Sequence, residues 1–408
     1  GKFRASWGRS GKHFEEPYLA LGLLDIGESS HLGNATLEPI WKDGCYNEDL
    51  SWEETDQYDF GLDLDLFDYR LGITVDYYYR YTDKLLYPVK LAGDYNGFYT
   101  QWRNAAAISN EGIELLVKYE IFRNSDFYWK VSVNAAKNWN RIEKSYNKKD
   151  LNFGVTGKPL NRILGLKTTG YVNKQEELPL VYKTSGQSNY LAPGNGLYLH
   201  QEESFYRPGD YRIVDVDGDG WIGKNDQVYL GSALPIVNGG LVSEFRWKNF
   251  DLNLSMHFSI GRHMVNNMWM NSLTFNMDPQ SSYYAHPILM DIRKHSFWEK
   301  VGDNDAEYPR LQPEGKYIYQ ENIVIDRQIE KVNYLKLKTL TFGYSLPHVI
   351  LQRLGLNDIR VFVSGENLFT WTNYSGIDPE VVDIRTGIDD GISYPLARKY
   401  TLGLTVKF

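Results

Sequence analysis

Asp251-Leu252-Asn253-Leu254-Ser255-Met256-His257-Phe258-Ser259-Ile260 is the stretch that decides the fold. Every second residue is apolar and the residues between are polar, the period of a strand with one greasy face and one wet face. The same alternation recurs along the chain. Ile113, Leu115, Val117, Tyr119 and Ile121 interleave with Glu114, Lys118 and Glu120, broken only by Leu116. Phe60, Leu62, Leu64 and Leu66 alternate with Asp59, Gly61, Asp63 and Asp65, and Leu71, Ile73, Val75, Tyr77, Tyr79 and Tyr81 form a further row. The chain therefore reads as all-β, with roughly ten long strands.

Composition narrows what such strands can build. Of 408 residues, 42% are hydrophobic and 15% aromatic, far too apolar for a disordered chain. A formal net charge of −8 leaves no general footprint for nucleic acid. Cys45 is the single cysteine, so neither an internal disulfide framework nor a cysteine-based zinc cluster can form. It reads as a free thiol in the first long loop, beside Trp41 and Tyr46. No apolar run is long enough for a transmembrane helix. The opening residues Gly1-Lys2-Phe3-Arg4-Ala5-Ser6-Trp7 resemble mid-strand sequence rather than a signal peptide, so the chain is expected to start partway through a larger protein.

A soluble sandwich or barrel would turn the apolar faces inward, and an outer-membrane barrel would turn them towards lipid. Connection lengths favour the second. Short connections fall near Phe67–Arg70, Phe122–Phe127, Trp247–Phe250 and Pro347–Leu356. Long ones cover about Gly8–Gln57, Asp83–Ala107, Lys144–Pro235, Met264–Val332 and Thr372–Leu396. Loops longer than about 15 residues are uncommon in compact soluble domains. Short turns at one end with long extracellular loops at the other are the asymmetry of an outer-membrane barrel. The carboxyl end agrees: Tyr400, Leu402, Leu404, Val406 and Phe408 alternate with Thr401, Gly403, Thr405 and Lys407. Eight steps of about 3.3 Å, tilted by about 40°, span roughly 20 Å, close to the height of a lipid-facing band. Tyr400 and Phe408 at its ends suit the two interfaces, and the terminal Phe408 is expected to serve as an outer-membrane assembly signal.

Five segments, in order, resemble the SusC/RagA family of TonB-dependent outer-membrane transporters. They are Leu50-Ser51-Trp52-Glu53-Glu54-Thr55-Asp56-Gln57-Tyr58-Asp59-Phe60-Gly61-Leu62-Asp63, Ile108-Ser109-Asn110-Glu111-Gly112-Ile113-Glu114-Leu115, and Asp215-Val216-Asp217-Gly218-Asp219-Gly220-Trp221-Ile222. Tyr334-Leu335-Lys336-Leu337-Lys338-Thr339-Leu340-Thr341-Phe342-Gly343-Tyr344 and Ser364-Gly365-Glu366-Asn367-Leu368-Phe369-Thr370 complete the set. The resemblance implies a barrel of about 22 strands in the bacterial outer membrane, closed by an amino-terminal plug. It also implies a SusD-like surface lipoprotein partner, import of glycans or peptides, and energy from TonB. Residues 1–408 would be the carboxyl-terminal part of the barrel, an antiparallel transmembrane β-barrel segment. The plug and first strands would lie in a preceding portion or a second chain.

One motif carries chemistry. Asp215-Val216-Asp217-Gly218-Asp219-Gly220-Trp221-Ile222-Gly223-Lys224-Asn225-Asp226 fits a calcium loop. Asp215, Asp217, Asp219 and Asp226 stand where oxygen ligands are needed, Gly220 at the sharp turn, and Trp221 at the backbone-carbonyl position. Asp226 replaces the usual Glu, which shortens its reach, and Tyr211-Arg212-Ile213-Val214 reads as a strand, so no helix–loop–helix is expected. A solvated, empty acidic turn is the plainer alternative. The Gly218-x-Gly220-x-x-Gly223 spacing mimics a dinucleotide fingerprint without the following helix.

Enzyme signals are missing. Asp63, Asp65 and Asp68 suit a solvated wall better than a catalytic pair, and His257, His263, His286 and His295 lack metal-ligand spacing. Asn267, Trp269 and Asn271, within His263-Met264-Val265-Asn266-Asn267-Met268-Trp269-Met270-Asn271, could contact sugar or peptide, with loop packing or an interfacial girdle as the alternative. Tyr283-Tyr284 and Trp371 beside Tyr374 invite the same two readings. The expected function is outer-membrane nutrient import. The competing readings are a surface-exposed, calcium-stabilised binding or adhesion protein and a secreted β-rich glycoside hydrolase.

Overall fold

The computed structural model describes residues 1–13, 24–25, 31–32, 35–36, 40–41, 47–95, 98–146, 156–174, 180–181, 208–219, 221–222, 224–268, 292–311, 324–391 and 393–408. The alternating segments form ten long strands: β1 (Lys2–Lys12), β2 (Glu53–Leu66), β3 (Leu71–Tyr95), β4 (Phe98–Arg123), β5 (Phe127–Lys144), β6 (Val237–Trp247), β7 (Phe250–Asn266), β8 (Ile329–Ser345), β9 (Asp358–Thr372) and β10 (Lys399–Lys407). Each pairs with its sequence neighbour, so spatial order follows chain order, with β1 and β10 at the two edges. All these pairings are antiparallel.

Register carries the apolar face from strand to strand. Phe3, Leu62, Val75, Leu115, Ala135, Gly239, Phe258, Leu335 and Trp371 stand side by side across β1 to β9. A one-residue slip anywhere would turn the rest of the sheet inside out. This face is bare: Leu62 is 40% exposed, Phe342 50% and Val363 52%. Near the short turns it is rich in rings. Phe122 meets Phe127 edge-on at 4.9 Å, Phe127 meets Phe245 at 5.0 Å, and Phe250 stacks on Phe342 at 5.8 Å.

The opposite face is held by polar bridges that cross a glycine. Arg4, Gly61 and Asp76 stand in register, and the Arg4 guanidinium donates to Asp76 at 2.8 Å and to Asp63 at 2.8 Å. Tyr78, Gly112 and Asn138 repeat the arrangement, the Tyr78 hydroxyl donating to Asn138 at 2.6 Å. Arg360 reaches Asp251 over Gly343 with two hydrogen bonds of 2.9 and 2.6 Å. A Cβ on Gly343 would lie 2.4 Å from Asp251 Oδ1 and 2.5 Å from Arg360 Nη2. Gly343→Ala is therefore expected to break that bridge and cost roughly 1–2 kcal/mol. Urea unfolding measures the loss, and it should largely vanish when Asp251→Asn and Arg360→Met are already present, as coupled groups require.

Connections follow the expected asymmetry, with three differences. The Pro347–Leu356 connection contains a helix, α1 (His348–Leu354), ended by Gly355 in the left-handed conformation. The Asp83–Ala107 segment, expected to be a loop, is instead a continuation of the β3–β4 ladder, with register shifts between Thr82 and Leu85, Leu85 and Leu86, and Lys90 and Tyr95. Pro88 and the doubled Leu85-Leu86 interrupt the period of two, and the bulges absorb the interruption without ending the pairing. β1 and β2 likewise pair four residues beyond Gly8 and Gln57, as far as Lys12 and Glu53.

Buried apolar side chains gather at the long-loop end rather than between sheets. Leu166, Tyr171, Tyr211, Ile213, Ile222 and Ile325 form one cluster, with Phe297, Trp298 and Tyr308 against it. Pairing of Thr168–Tyr171 with Tyr211–Ile213 folds the β5–β6 connection on itself, and a bridge between Leu166 and Ile325 joins it to the β7–β8 connection.

Candidate functional site

The acidic loop is mounted on that packed cap. Ile213 before the loop and Ile222 within it are buried in the cluster, and Tyr211–Ile213 is a strand, as the sequence reading expects. Burial also pushes the Tyr211 phenol well above its ordinary range. Asp215, Asp217 and Asp219 each bring a carboxylate oxygen within 4.8 Å of the others. Local bonds shape the turn: Asp215 accepts the Gly218 N–H at 2.7 Å and Asp217 accepts the Asp219 N–H at 3.2 Å. Gly218 takes the positive φ of 74° that this turn needs. Asp226 stands apart from the trio. It is buried at the end of the short 3-10 turn Lys224–Asp226, where it accepts the Val216 N–H at 2.7 Å. Trp221 lies in a two-residue strand paired in parallel with Leu180–Val181. Gly220 and Gly223 lie outside the described residues. Three convergent carboxylates suit a hard cation that takes oxygen ligands.

The Asn267 amide is engaged by its neighbours. Its side-chain nitrogen donates to Asp390 at 2.7 Å and its oxygen accepts from Gln328 at 2.8 Å, so it ties the end of β7 to the β8 entrance and the β9–β10 connection. Trp269, Asn271, Tyr283, Tyr284 and His286 lie outside the described residues, as do Cys45 and Tyr46. Trp371 is half exposed on the apolar face, whereas Tyr374 is buried and donates to Asp389. Tyr400 and Phe408 are both exposed on the edge strand or just past it.

Sequence reasoning missed the cluster that holds the β9–β10 connection, residues 373–398, against the polar face. Lys336, 2% exposed at its side chain, lies 2.9 Å from Asp378 and 2.7 Å from Glu380. Lys338 also meets Glu380 at 2.7 Å. The buried Arg262 donates to the carbonyls of Ala233, Val382 and Asp383 at 2.9, 3.0 and 2.7 Å. Met264, Val332, Tyr334, Tyr374 and Val382 pack beside these groups, and Ile388–Asp389 adds a short parallel ladder to β7. Lys336 pairs with His257 and Thr370, on the face opposite Leu335 and Trp371. The connection is therefore a strap lying on the polar side of β7, β8 and β9. A faint signal was available: Lys336 and Lys338 occupy polar-face positions of β8, and Asp378 and Glu380 repeat the same two-residue spacing.

Residues 2–232, more than half of the chain, match the family described as TonB dependent receptor-like, beta-barrel. The chain belongs to that family. Its relatives include TonB-dependent receptor P3 of Formosa agariphila, 30% identical over 100% of this chain and 39% of the relative. TonB-dependent receptor SusC of Bacteroides thetaiotaomicron is 25% identical, again over 100% of this chain and 37% of the relative. Among solved structures, that of the RagAB peptide transporter superposes with a TM-score of 0.70 at 23% identity, covering 100% of this chain and 40% of that one. The chain spans about two fifths of the length of these relatives. The TonB-dependent receptor barrel resides in the outer membrane, so the bare apolar face is the lipid-facing one, the polar face lines the lumen, and the short turns are periplasmic. Family membership sets aside the soluble adhesion and hydrolase readings, since the named relatives are receptors, not enzymes.

Proposed function

We propose that this chain is the carboxyl-terminal barrel portion of an importer for oligosaccharides or peptides, energised by TonB and working with a SusD-like surface lipoprotein. The observation that carries the reading is the pairing of a lipid-facing sheet with long connections that fold into a packed cap and a lumenal strap. Loops mounted rigidly on a scaffold are where binding groups sit. The RagAB relative is a peptide transporter, which supports peptide cargo, and glycan cargo rests on the resemblance to the SusC/RagA family. With its amide held by Gln328 and Asp390, Asn267 braces the end of β7 rather than gripping cargo itself. Purifying the full-length protein from its native membrane tests the reading. A lipoprotein should copurify, and deleting either gene should abolish growth on the same oligosaccharide or peptide. Unchanged growth on every such nutrient would refute import.

The Asp215–Asp226 loop is proposed to take calcium as a structural ion, with the Asp215, Asp217 and Asp219 carboxylates as ligands and Asp226 bracing the turn through Val216. Extracellular modules of this chemistry bind in the range of about 10⁻⁴–10⁻³ M. Calcium at about ten times its dissociation constant should protect the cap by about 1.4 kcal/mol. Limited proteolysis of the cap with calcium and with a chelator measures this, and Asp217→Asn should remove the difference.

A further inference from the structure

The strap is pinned at more points than a connection needs, and the pins bracket one exposed turn. Lys336 holds Asp378 and Glu380, Tyr374 donates to Asp389, and the Ser375 N–H donates to Glu330 at 2.9 Å. Arg262 reaches the carbonyls of Val382 and Asp383. Burying a guanidinium on neutral carbonyls is costly, and here it fixes the root of the turn Asp383-Ile384-Arg385-Thr386. Gly387 closes the other side, its N–H donating to the Asp383 carbonyl at 2.8 Å. Its φ is 73°, and a Cβ there would lie 3.0 Å from the Ala233 Cβ, so the cap rests directly on the turn.

What the anchors present is a cation. Between buried Val382 and buried Gly387, Ile384 is 54% exposed and the Arg385 side chain 84%. The Asp383 carboxylate organises the turn by accepting the Arg385 backbone N–H at 2.8 Å. It meets the guanidinium only along the Nε and Nη2 edge, at 3.5 and 3.3 Å. Nη1 has no acceptor among the described residues, which leaves the end of the fork open. An arginine fork matches a carboxylate with two parallel hydrogen bonds, and Ile384 adds an apolar shoulder beside it. The strap leaves β9 at its extracellular end and lies on the lumenal side of β7 to β9, so the turn stands at the mouth of the lumen. A merely solvated arginine needs no such rigid mounting, whereas a binding group does.

We propose that Arg385, on the turn anchored by Arg262, binds a carboxylate of the cargo and so selects acidic cargo at the lumenal mouth. The inference rests on the import reading above. The test uses the full-length protein in its native outer-membrane complex, solubilised in detergent. It is offered an equimolar mixture of hexapeptides Ala-Ile-Xaa-Ala-Ile-Ala, with Glu or Gln at Xaa and free or amidated ends, together with trigalacturonate and galactotriose. Mass spectrometry of what is retained gives the result. Carboxylate-bearing probes should be held in preference to their neutral counterparts, and acidic peptide against trigalacturonate identifies the source of the carboxylate. Arg385→Gln should lower retention of the carboxylate probes about tenfold and leave the neutral ones unchanged. Arg385→Lys, which keeps the charge but not the fork, should fall between. Hydrogen exchange over 373–398 should stay as in the wild type. Faster exchange in Arg385→Gln would make the side chain a structural prop and overturn the proposal. Neutral and acidic probes held alike by both proteins would overturn it while leaving import intact, and no probe held by either would overturn both.

Discussion

Arginine in place of Leu115 is expected to destabilise the full-length barrel by about 2–4 kcal/mol in a bilayer, while arginine in place of the adjacent Glu114 should change stability little. The two residues are neighbours in β4 with opposite fates. Leu115 sits between Val75 and Ala135 in the lipid-facing row, near mid-height between Ile113 and Tyr119. Glu114 sits between Asp76 and Ala136 on the lumenal face, where water solvates a guanidinium and Asp76 would attract it. Urea unfolding in vesicles, followed by tryptophan fluorescence, gives both values. Equal costs, or a larger cost at Glu114, would mean that the sheet faces the other way.

Lys336→Met is expected to release the strap. The substitution keeps most of the side-chain volume but leaves Asp378, a buried carboxylate, without its cation. Breaking a buried pair from one side costs about 3–5 kcal/mol. The loss should fall on the strap, because the β8 backbone ladder is untouched. Hydrogen exchange over 373–398 should quicken by at least a hundredfold if about 3 kcal/mol is lost, with β7 to β9 protected as before. Adding Asp378→Asn and Glu380→Gln should restore part of the protection, since no charge is then left buried. Unchanged exchange in Lys336→Met would show that Arg262 and the apolar contacts hold the strap alone.

The same latch sets a pH dependence. Burial pushes the Glu380 carboxyl up, but hydrogen bonds from Lys336 and Lys338 outweigh it and hold the group below its ordinary value. A carboxylate depressed in the folded state stabilises above its unfolded pKa, and that contribution is lost as pH falls through the lower folded value. The strap should therefore stay latched through mildly acidic conditions and loosen only in strong acid.

Much of the fold was legible because a strand writes its two environments into alternate residues. The rows through Leu252, Ile113 and Phe60 gave strand identity, face and approximate ends, and the loop asymmetry gave the membrane. The glycine bridges hid inside the segments that carry the family resemblance. Gly61, Gly112 and Gly343 look like weak points of a strand until the flanking strands are in place. The β3–β4 hairpin was missed because bulges around Leu85 break a period that pairing can still tolerate. The acidic loop was visible as a trio, but the turning of Asp226 towards Val216 was not, since a 3-10 turn between them sets its direction.

By itself the amino-acid sequence determined which residues meet lipid and which meet water, because the period of two is local and each strand carries it alone. Only the tertiary structure decided that Asp378 and Glu380 lie on Lys336, that Asn267 joins Gln328 to Asp390, and that the cap packs around Tyr211. Those contacts bring together residues some 40 to 120 positions apart through irregular connections, where no period records the partner and the closing of each loop is offset only by contacts that exist once the barrel wall is in place.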